Sequence, residues 1–141
     1  MEVKREFTTL FDYDLWANLK WFPFCEEEPL RRIMEHILRT QIIWLERSGG
    51  KNSFTAGTPW DLIEEINMAW KEHILSSDLE QTIHYQNSLG QKFAQPRRDV
   101  ARHVINHGTY HRGQIRGMAE MMGVEDFPDT DYIFYLREPR G

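Results

Sequence analysis

Proline and glycine residues divide this chain into four long segments, each of which carries the sequence signals of an α-helix. Proline is tolerated in the first turn of a helix but disrupts its interior, and glycine readily adopts the left-handed conformation that ends many helices. The four predicted helices run from about Glu2 to Trp21, from Pro29 to about Ser48, from Pro59 to about Ser76, and from Pro96 to Met122.

Each boundary has a local cause. The first helix must stop before Pro23, because the residue before a proline is disfavoured in the helical region. The acidic run Glu26–Glu28 suits the positive end of the second helix dipole. Thr58 is the predicted N-cap of the third helix, with Asp61 placed to complete a capping arrangement. Gly123 is the predicted C-cap of the fourth.

A short β-hairpin is predicted between the third and fourth helices. In the stretch TIHYQNSLGQKFAQ, Ile83 and Tyr85 alternate with polar residues before an NSLG turn, and the pattern resumes through Phe93. We also expect the apolar tail DTDYIFYLRE to pack back on the body. These elements predict an all-α fold, a four-helix bundle with a small β-hairpin between helices three and four, as a single domain over residues 1–141. Because a hairpin separates helices three and four, the sequence does not establish a simple up-down order of the helices.

Composition excludes several classes of partner. The chain has 141 residues and a formal net charge of −5, so we expect no nucleic-acid partner, which would need a concentrated basic face. No window approaches the roughly 20 apolar residues of a membrane span, and the start lacks a signal-peptide pattern, so we expect a cytoplasmic protein with no membrane partner. The single cysteine, Cys25, follows aromatic residues and is expected to be a small buried hydrophobe.

The fourth helix carries three histidines four residues apart, His103, His107 and His111. At about 100° per residue, His111 falls within the apolar stripe of this helix and His107 within about 20° of it, whereas His103 lies about 60° outside. Two neutral imidazoles on one buried face leave acceptor nitrogens close together with no donor between them. A divalent cation resolves this, so the spacing predicts a metal site.

A third ligand must come from another helix, and the residues leave two candidates. His36 lies toward one margin of the apolar arc of the second helix, and His73 lies squarely within the apolar face of the third. The helical wheel slightly favours His73. Carboxylate ligation of the di-iron type is disfavoured, because the chain contains no Glu-x-x-His pair.

Two polar residues of the first helix, Asp14 and Asn18, fall among its inward-facing aromatic and aliphatic positions. A buried carboxylate needs partners. Asp14 is as well suited to bonding arginines of a neighbouring helix as to orienting a metal-bound imidazole or water.

Three motifs in this order resemble the DinB/YfiT-like metalloenzyme family: LFDYDLWANLKWF in the first helix, HILRTQIIWLER in the second and HVINHGTYHRGQI in the fourth. The resemblance implies a divalent metal held by His36, His107 and His111, which makes His73 a pocket-wall or core residue. It also implies a homodimer and a low-molecular-weight thiol as cosubstrate. Arg112 and Gln114 match the family pattern as well.

These features favour a metal-dependent transferase in which three neutral histidines leave a coordination position open. A small-molecule thiol would attack an electrophilic substrate, since no protein nucleophile is evident near the site. Zinc or nickel is the favoured ion and iron a further candidate. Tyr110, Gln114, Asn18 and His73 are candidate pocket residues. The alternatives are a metal-dependent hydrolase, with Asp14 as its general acid or base, and a non-catalytic metal-binding bundle.

Overall fold

Four long helices and one β-hairpin make up most of residues 2–139, the part of the chain that the computed structural model describes. A 3₁₀ turn at Phe22–Phe24 follows the first helix. The elements are α1 (Glu2–Trp21), α2 (Leu30–Arg47), α3 (Pro59–Ser76), β1 (Thr82–Gln86), β2 (Lys92–Pro96), α4 (Arg97–Met121) and α5 (Tyr132–Arg137).

The capping signals place α3 correctly. It begins at Pro59, and the backbone N–H of Asp61 donates to Oγ1 of the N-cap Thr58 over 3.1 Å. Two other starts differ by one residue from the prediction: α2 begins at Leu30 and α4 at Arg97, with Pro29 and Pro96 outside the helices.

Pro96 lies outside α4 because it is also the last residue of the hairpin. It pairs with Thr82 in the antiparallel register of β1 and β2, so the chain passes directly from strand to helix. The hairpin itself is confirmed, with Ile83 opposite Gln95 and Tyr85 opposite Phe93. Its turn ends at Gly90, whose φ of 77° favours glycine.

The four long helices pack in a closed cycle of neighbours. Helix α1 packs mainly against α3 and α4, and α2 packs mainly against α4 and α3. The consecutive helices α1 and α2 therefore lie across the core from each other. The largest fully buried side chains come from all four helices and include Phe7, Phe11, Trp21, Leu30, Ile37, Leu45, Ile63, Ile66, Trp70, Ile74, Val104 and Ile115.

The tail packs back on α1, as predicted. The rings of Tyr13 and Tyr135 lie 5.8 Å apart in an edge-to-face arrangement, and the Tyr13 hydroxyl donates to the carbonyl oxygen of Thr130. The Trp21 indole N–H also donates to Thr130 Oγ1 over 3.0 Å. These contacts hold the C-terminal segment against α1.

Within residues 2–139, no helix combines the length and the apolar character that a membrane crossing requires.

Candidate metal centre

Three histidines from two helices meet at the surface where α2 packs against α4. His36, His107 and His111 each offer one ring nitrogen, and these three atoms all lie within 4.8 Å of one another. The ring centroids are 5.0 Å apart for His36 and His107, 4.6 Å for His36 and His111, and 4.4 Å for His107 and His111.

Helix geometry accounts for the cluster. His107 and His111 are four residues apart on α4, and residues with this spacing lie one above the other on the same helix face. Helix α2 packs against α4 and presents His36 to that pair. The structure therefore gathers the histidine from the second helix, while His73 lies outside the group.

The cluster is less deeply placed than the helical wheel predicted. His107 and His111 are half-buried and His36 is exposed, so the two histidines of α4 lie at the margin of the helix contact and not in the core. The innermost positions of α4 are instead taken by Val104, Gly108, Arg112 and Ile115. A site at this margin is open to small molecules.

The environment keeps two of these imidazoles neutral. The pKa of His107 is lowered from 6.5 to about 4. Burial is the largest cause, and the neighbouring His111, His36 and His103 contribute to the same shift. Desolvation also lowers the pKa of His36, with additional effects from His111 and the Arg39 charge. Only the neutral imidazole has a lone pair for a metal ion, so these shifts favour ligation near neutral pH.

Gln114 orients one of the three rings. Its Oε1 lies 2.9 Å from Nδ1 of His111, which assigns the ring proton to Nδ1, because a carboxamide oxygen only accepts hydrogen bonds. Nε2 of His111 is then free to bind a metal. Hydrogen bonds of this kind fix the tautomer and orientation of metal-ligating histidines.

His103 and His73 have other surroundings. His103 lies one turn before His107, with its ring centroid 5.2 Å from that of Trp44. His73 is buried, and its Nε2 lies 2.7 Å from Ser48 Oγ while its Nδ1 lies 3.1 Å from Ser77 Oγ. Burial lowers the pKa of His73, with a smaller effect from the Arg97 charge. Both of its ring nitrogens have protein partners.

Asp14 and Asn18 belong to a buried polar network of α1. Arg112 Nη1 on α4 donates to Asp14 Oδ1 over 2.7 Å and to Asn18 Oδ1 over 2.8 Å. Gln41 Nε2 on α2 donates to Asp14 Oδ2 over 2.5 Å. Of the two roles considered for Asp14, the structure shows the bond to an arginine of a neighbouring helix.

Tyr110 and Cys25 lie apart from this network. Tyr110 is exposed, and its ring lies 4.9 Å from that of His111, at the rim of the cluster. Cys25 is buried, as expected for a small hydrophobe, and desolvation raises the pKa of its thiol to about 12.

Sequence reasoning missed two residues that support this region. Gly108 allows α4 to approach Asp14 closely, since a Cβ atom there would lie 2.7 Å from Asp14 Oδ1. Gln41 supplies the second partner of that carboxylate. Gln41 falls on the apolar face of α2, among Ile37, Leu38 and Leu45. An inward-facing amide on that face was the signal that could have identified it.

The residues present fit a divalent ion. Nitrogen atoms bound to one tetrahedral zinc ion are about 3.4 Å apart, given zinc–nitrogen distances of about 2.0–2.1 Å. The three ring nitrogens lie within 4.8 Å of one another, which is at most about 1.4 Å more than that spacing. Three imidazoles also match the ligand preferences of zinc, nickel, iron and copper.

Comparison with known proteins gives a family match and a curated relative. The model of the DinB family matches residues 28–141, which include α2, α4 and all three histidines. The chain is also 24% identical over 158 aligned positions to Protein DinB of Bacillus subtilis (strain 168), covering 90% of this chain and 91% of that protein. No solved structure gives a significant match.

Proposed function

Because the chain belongs to the DinB family, we propose that it binds one divalent metal ion through His36, His107 and His111 and transfers a low-molecular-weight thiol to an electrophilic substrate. The observation that carries this proposal is the group of three imidazole nitrogens within 4.8 Å of one another at an open surface. Zinc or nickel is the favoured ion and iron a further candidate, since imidazole suits all three.

The resemblance also supports an architecture and an assembly. The closed cycle of contacts among the four long helices supports our proposal that the chain forms a four-helix bundle and a single domain. The homodimer rests on the family resemblance. Light scattering at several concentrations should give the mass of a dimer, and a monomer mass throughout would remove this part of the proposal.

The protein supplies ligands and orientation, and the nucleophile arrives with the cosubstrate. A bound divalent ion supplies Lewis acidity, which favours the deprotonated form of a thiol. Cys25 cannot serve as the nucleophile, because burial raises the pKa of its thiol to about 12. In the transfer, the thiol loses its proton to solvent, its sulfur forms a bond to carbon, and the leaving group departs with its bonding electrons.

A second cavity beside the cluster can hold the electrophile. A cavity of about 690 Å³ lies between α2 and the start of α3, and its walls include Phe22, Met34 and Leu38. Arg39 lines both this cavity and the one that contains His36 and His111. The size and apolar lining of the 690 Å³ cavity are typical of small-molecule sites, so we place an apolar electrophile there.

Two observations favour transfer over the alternatives. A hydrolase needs a general acid or base, and both carboxylate oxygens of its one candidate, Asp14, are engaged by Arg112 and Gln41. A purely structural metal site is closed by its protein ligands, whereas this cluster has three histidines at a solvent-open margin.

Metal analysis of untagged protein tests the ligand set. We expect about one divalent ion per chain, with His36→Ala and His107→Ala losing it. His103→Ala is the matched control, since it removes an imidazole from the same face of α4 outside the cluster. His73→Ala should also retain the metal. Loss of the ion from His73→Ala with retention in His36→Ala would show that the third ligand is wrong.

The thiol is tested on cobalt-substituted protein. A low-molecular-weight thiol should produce a sulfur-to-cobalt charge-transfer band that His107→Ala abolishes. No band with several thiols, combined with ester or amide hydrolysis by the same sample, would assign a hydrolase instead. If the protein shows neither thiol binding nor hydrolysis, the remaining assignment is a non-catalytic metal-binding bundle.

A further inference from the structure

The cavity at the histidine cluster has positively charged walls. It has a volume of about 330 Å³ and is lined by His36 and His111 together with Arg32, Ile33, Arg39 and Gln114. Its lining residues include two arginines and no carboxylate. The histidine cluster, which suits a metal cation, is thus bordered by two cationic side chains, Arg32 and Arg39.

Neighbouring carboxylates leave one of these two charges, that of Arg39, unbalanced. Arg31 and Arg32 share Glu28, over 3.3 Å and 3.5 Å respectively, and Glu35 lies 3.9 Å from Arg31. Within residues 2–139, Arg39 takes part in no hydrogen bond or ion pair. Its charge nevertheless acts on the His36 ring. Arg39 is therefore a free cation beside the proposed metal ligands.

An arginine in this position opposes metal binding unless an anion joins the site. Like charges repel, and a divalent ion on three neutral imidazoles retains its full charge of +2. A negative group on the bound molecule would offset both the ion and the arginines. The planar guanidinium matches a carboxylate with two parallel hydrogen bonds, which adds orientation to the attraction.

We propose that Arg39, with Arg32 beside it, binds an anionic group of the molecule that occupies this cavity, so that the thiol cosubstrate is one that carries a carboxylate. This inference rests on the proposed thiol transfer for the identity of the second group. Arg39 acts as a specificity-determining residue: it selects the cosubstrate and holds its far end while the sulfur lies at the cluster.

Two thiols with the same two-carbon spacer between the sulfur and the terminal polar group test the proposal. On cobalt-substituted protein, the charge-transfer band is titrated with 3-mercaptopropionate, which ends in a carboxylate, and with 2-mercaptoethanol, which ends in a hydroxyl. A charge-assisted hydrogen bond corresponds to a preference of about tenfold or more for the carboxylate thiol. Arg39→Gln should reduce that preference to near unity while the cobalt site remains occupied.

Arg47→Gln is the matched control. It makes the same change of charge on the same helix, but Arg47 is stacked on Trp44 and donates to the Gln86 carbonyl oxygen outside this cavity. It should keep the preference. Equal affinities for the two thiols in the unmodified chain, or a preference unaffected by Arg39→Gln, would overturn the inference and leave thiol transfer standing.

A second pair of probes separates this failure from failure of the proposed function. If neither thiol produces a band, the visible spectrum of the cobalt site is titrated with succinate and with neutral succinamide. A change with succinate alone that Arg39→Gln removes would support anion binding at Arg39 while thiol transfer falls. No change with either compound would overturn both.

Discussion

Adjacent residues of α4 have opposite environments. His111 faces the cavity shared with α2, whereas Arg112 is 2% exposed and bonds Asp14 on α1. The turn of about 100° between successive helical residues directs the two side chains to different neighbours. Each needs a different partner, since an imidazole N–H needs an acceptor and a buried guanidinium needs a carboxylate. Substitutions here can therefore separate metal binding from folding stability.

Gln114→Ala should weaken metal affinity by about 10- to 100-fold, the usual cost of removing a hydrogen-bond partner from a ligating histidine. The fold should be unaffected, because Gln114 is exposed. Gln114→Glu retains an acceptor for His111 Nδ1 and should keep the affinity. Isothermal titration with zinc measures all three proteins, and equal affinity of the alanine variant would show that the 2.9 Å contact does not orient the ring.

Asp14→Ala should destabilise the fold by about 3–5 kcal/mol, because it leaves the buried Arg112 charge without its carboxylate. Urea unfolding measures the change. Arg116→Ala is the control on the same helix: its partners Glu120 and Asp129 are solvent-exposed, and pairs of that kind contribute about 1 kcal/mol or less. Similar losses in both variants would contradict a special role for the buried pair.

At the scale of elements, α1 and α4 approach closely at Gly108. A Cβ atom at this position would lie 2.7 Å from Asp14 Oδ1 and 3.0 Å from Arg112 Nη1, both held in the buried ion pair. At Gly117 on the same helix a Cβ atom would meet nothing within 4 Å. The absence of a side chain at Gly108 thus makes room for the bond between the two helices.

Gly108→Ala and Gly117→Ala should therefore change stability in opposite directions. Alanine favours a helix over glycine by about 1 kcal/mol, so Gly117→Ala should stabilise by up to that amount. At Gly108 the same gain is outweighed by overpacking, which typically costs about 1–3 kcal/mol. Thermal unfolding of the two variants gives the comparison. Stabilisation by both substitutions would mean that Asp14 and Arg112 can move away from the added methyl group without loss of stability.

The elements were largely predictable because their boundaries are local. The Thr58 cap and the alternation of Ile83 and Tyr85 act within a few residues, so α3 and the hairpin follow from the sequence. The one-residue errors at Pro29 and Pro96 arise because proline is accepted both at the first helical position and just before it.

The relations between helices were less predictable. A helical wheel shows which way His107 points but not which helix lies opposite, so it slightly favoured His73, whereas the structure brings His36 to the cluster. It also placed His107 and His111 too far inward, because it cannot locate the edge of a helix contact. The partner of Asp14 depends on the same unknown packing, and it is an arginine 98 positions away in the chain.

Over the whole molecule, buried polar side chains link elements that are distant in sequence. Asn67 donates to the carbonyl oxygen of Phe11 over 2.7 Å, and Trp70 donates to that of Gln41 over 3.0 Å. His73 belongs to a third such link through Ser48. Because the pKa values of His36, His73 and His107 are lowered in the folded chain, the stability of the whole fold depends on pH.

The metal-free protein should lose stability as the pH falls from about 6.5 toward about 4. In the unfolded chain an imidazole binds a proton near pH 6.5, whereas folded His107 does so only near pH 4, so the unfolded state holds more protons across this range. The thermal midpoint should fall accordingly. His107→Gln should flatten part of that fall, and an identical pH profile in this variant would show that His107 does not contribute to it.

The position of the cluster between α2 and α4 also has a kinetic consequence. Roughly 70 residues separate His36 from His107, so an ion held by both would close a large loop of chain as a reversible crosslink. Local separation of the two helices would then have to break a coordination bond, and amide hydrogen exchange in α2 and α4 would slow while the β1–β2 hairpin exchanged as before. In a cell, the availability of the metal would set the lifetime of the assembled pocket as well as its reactivity.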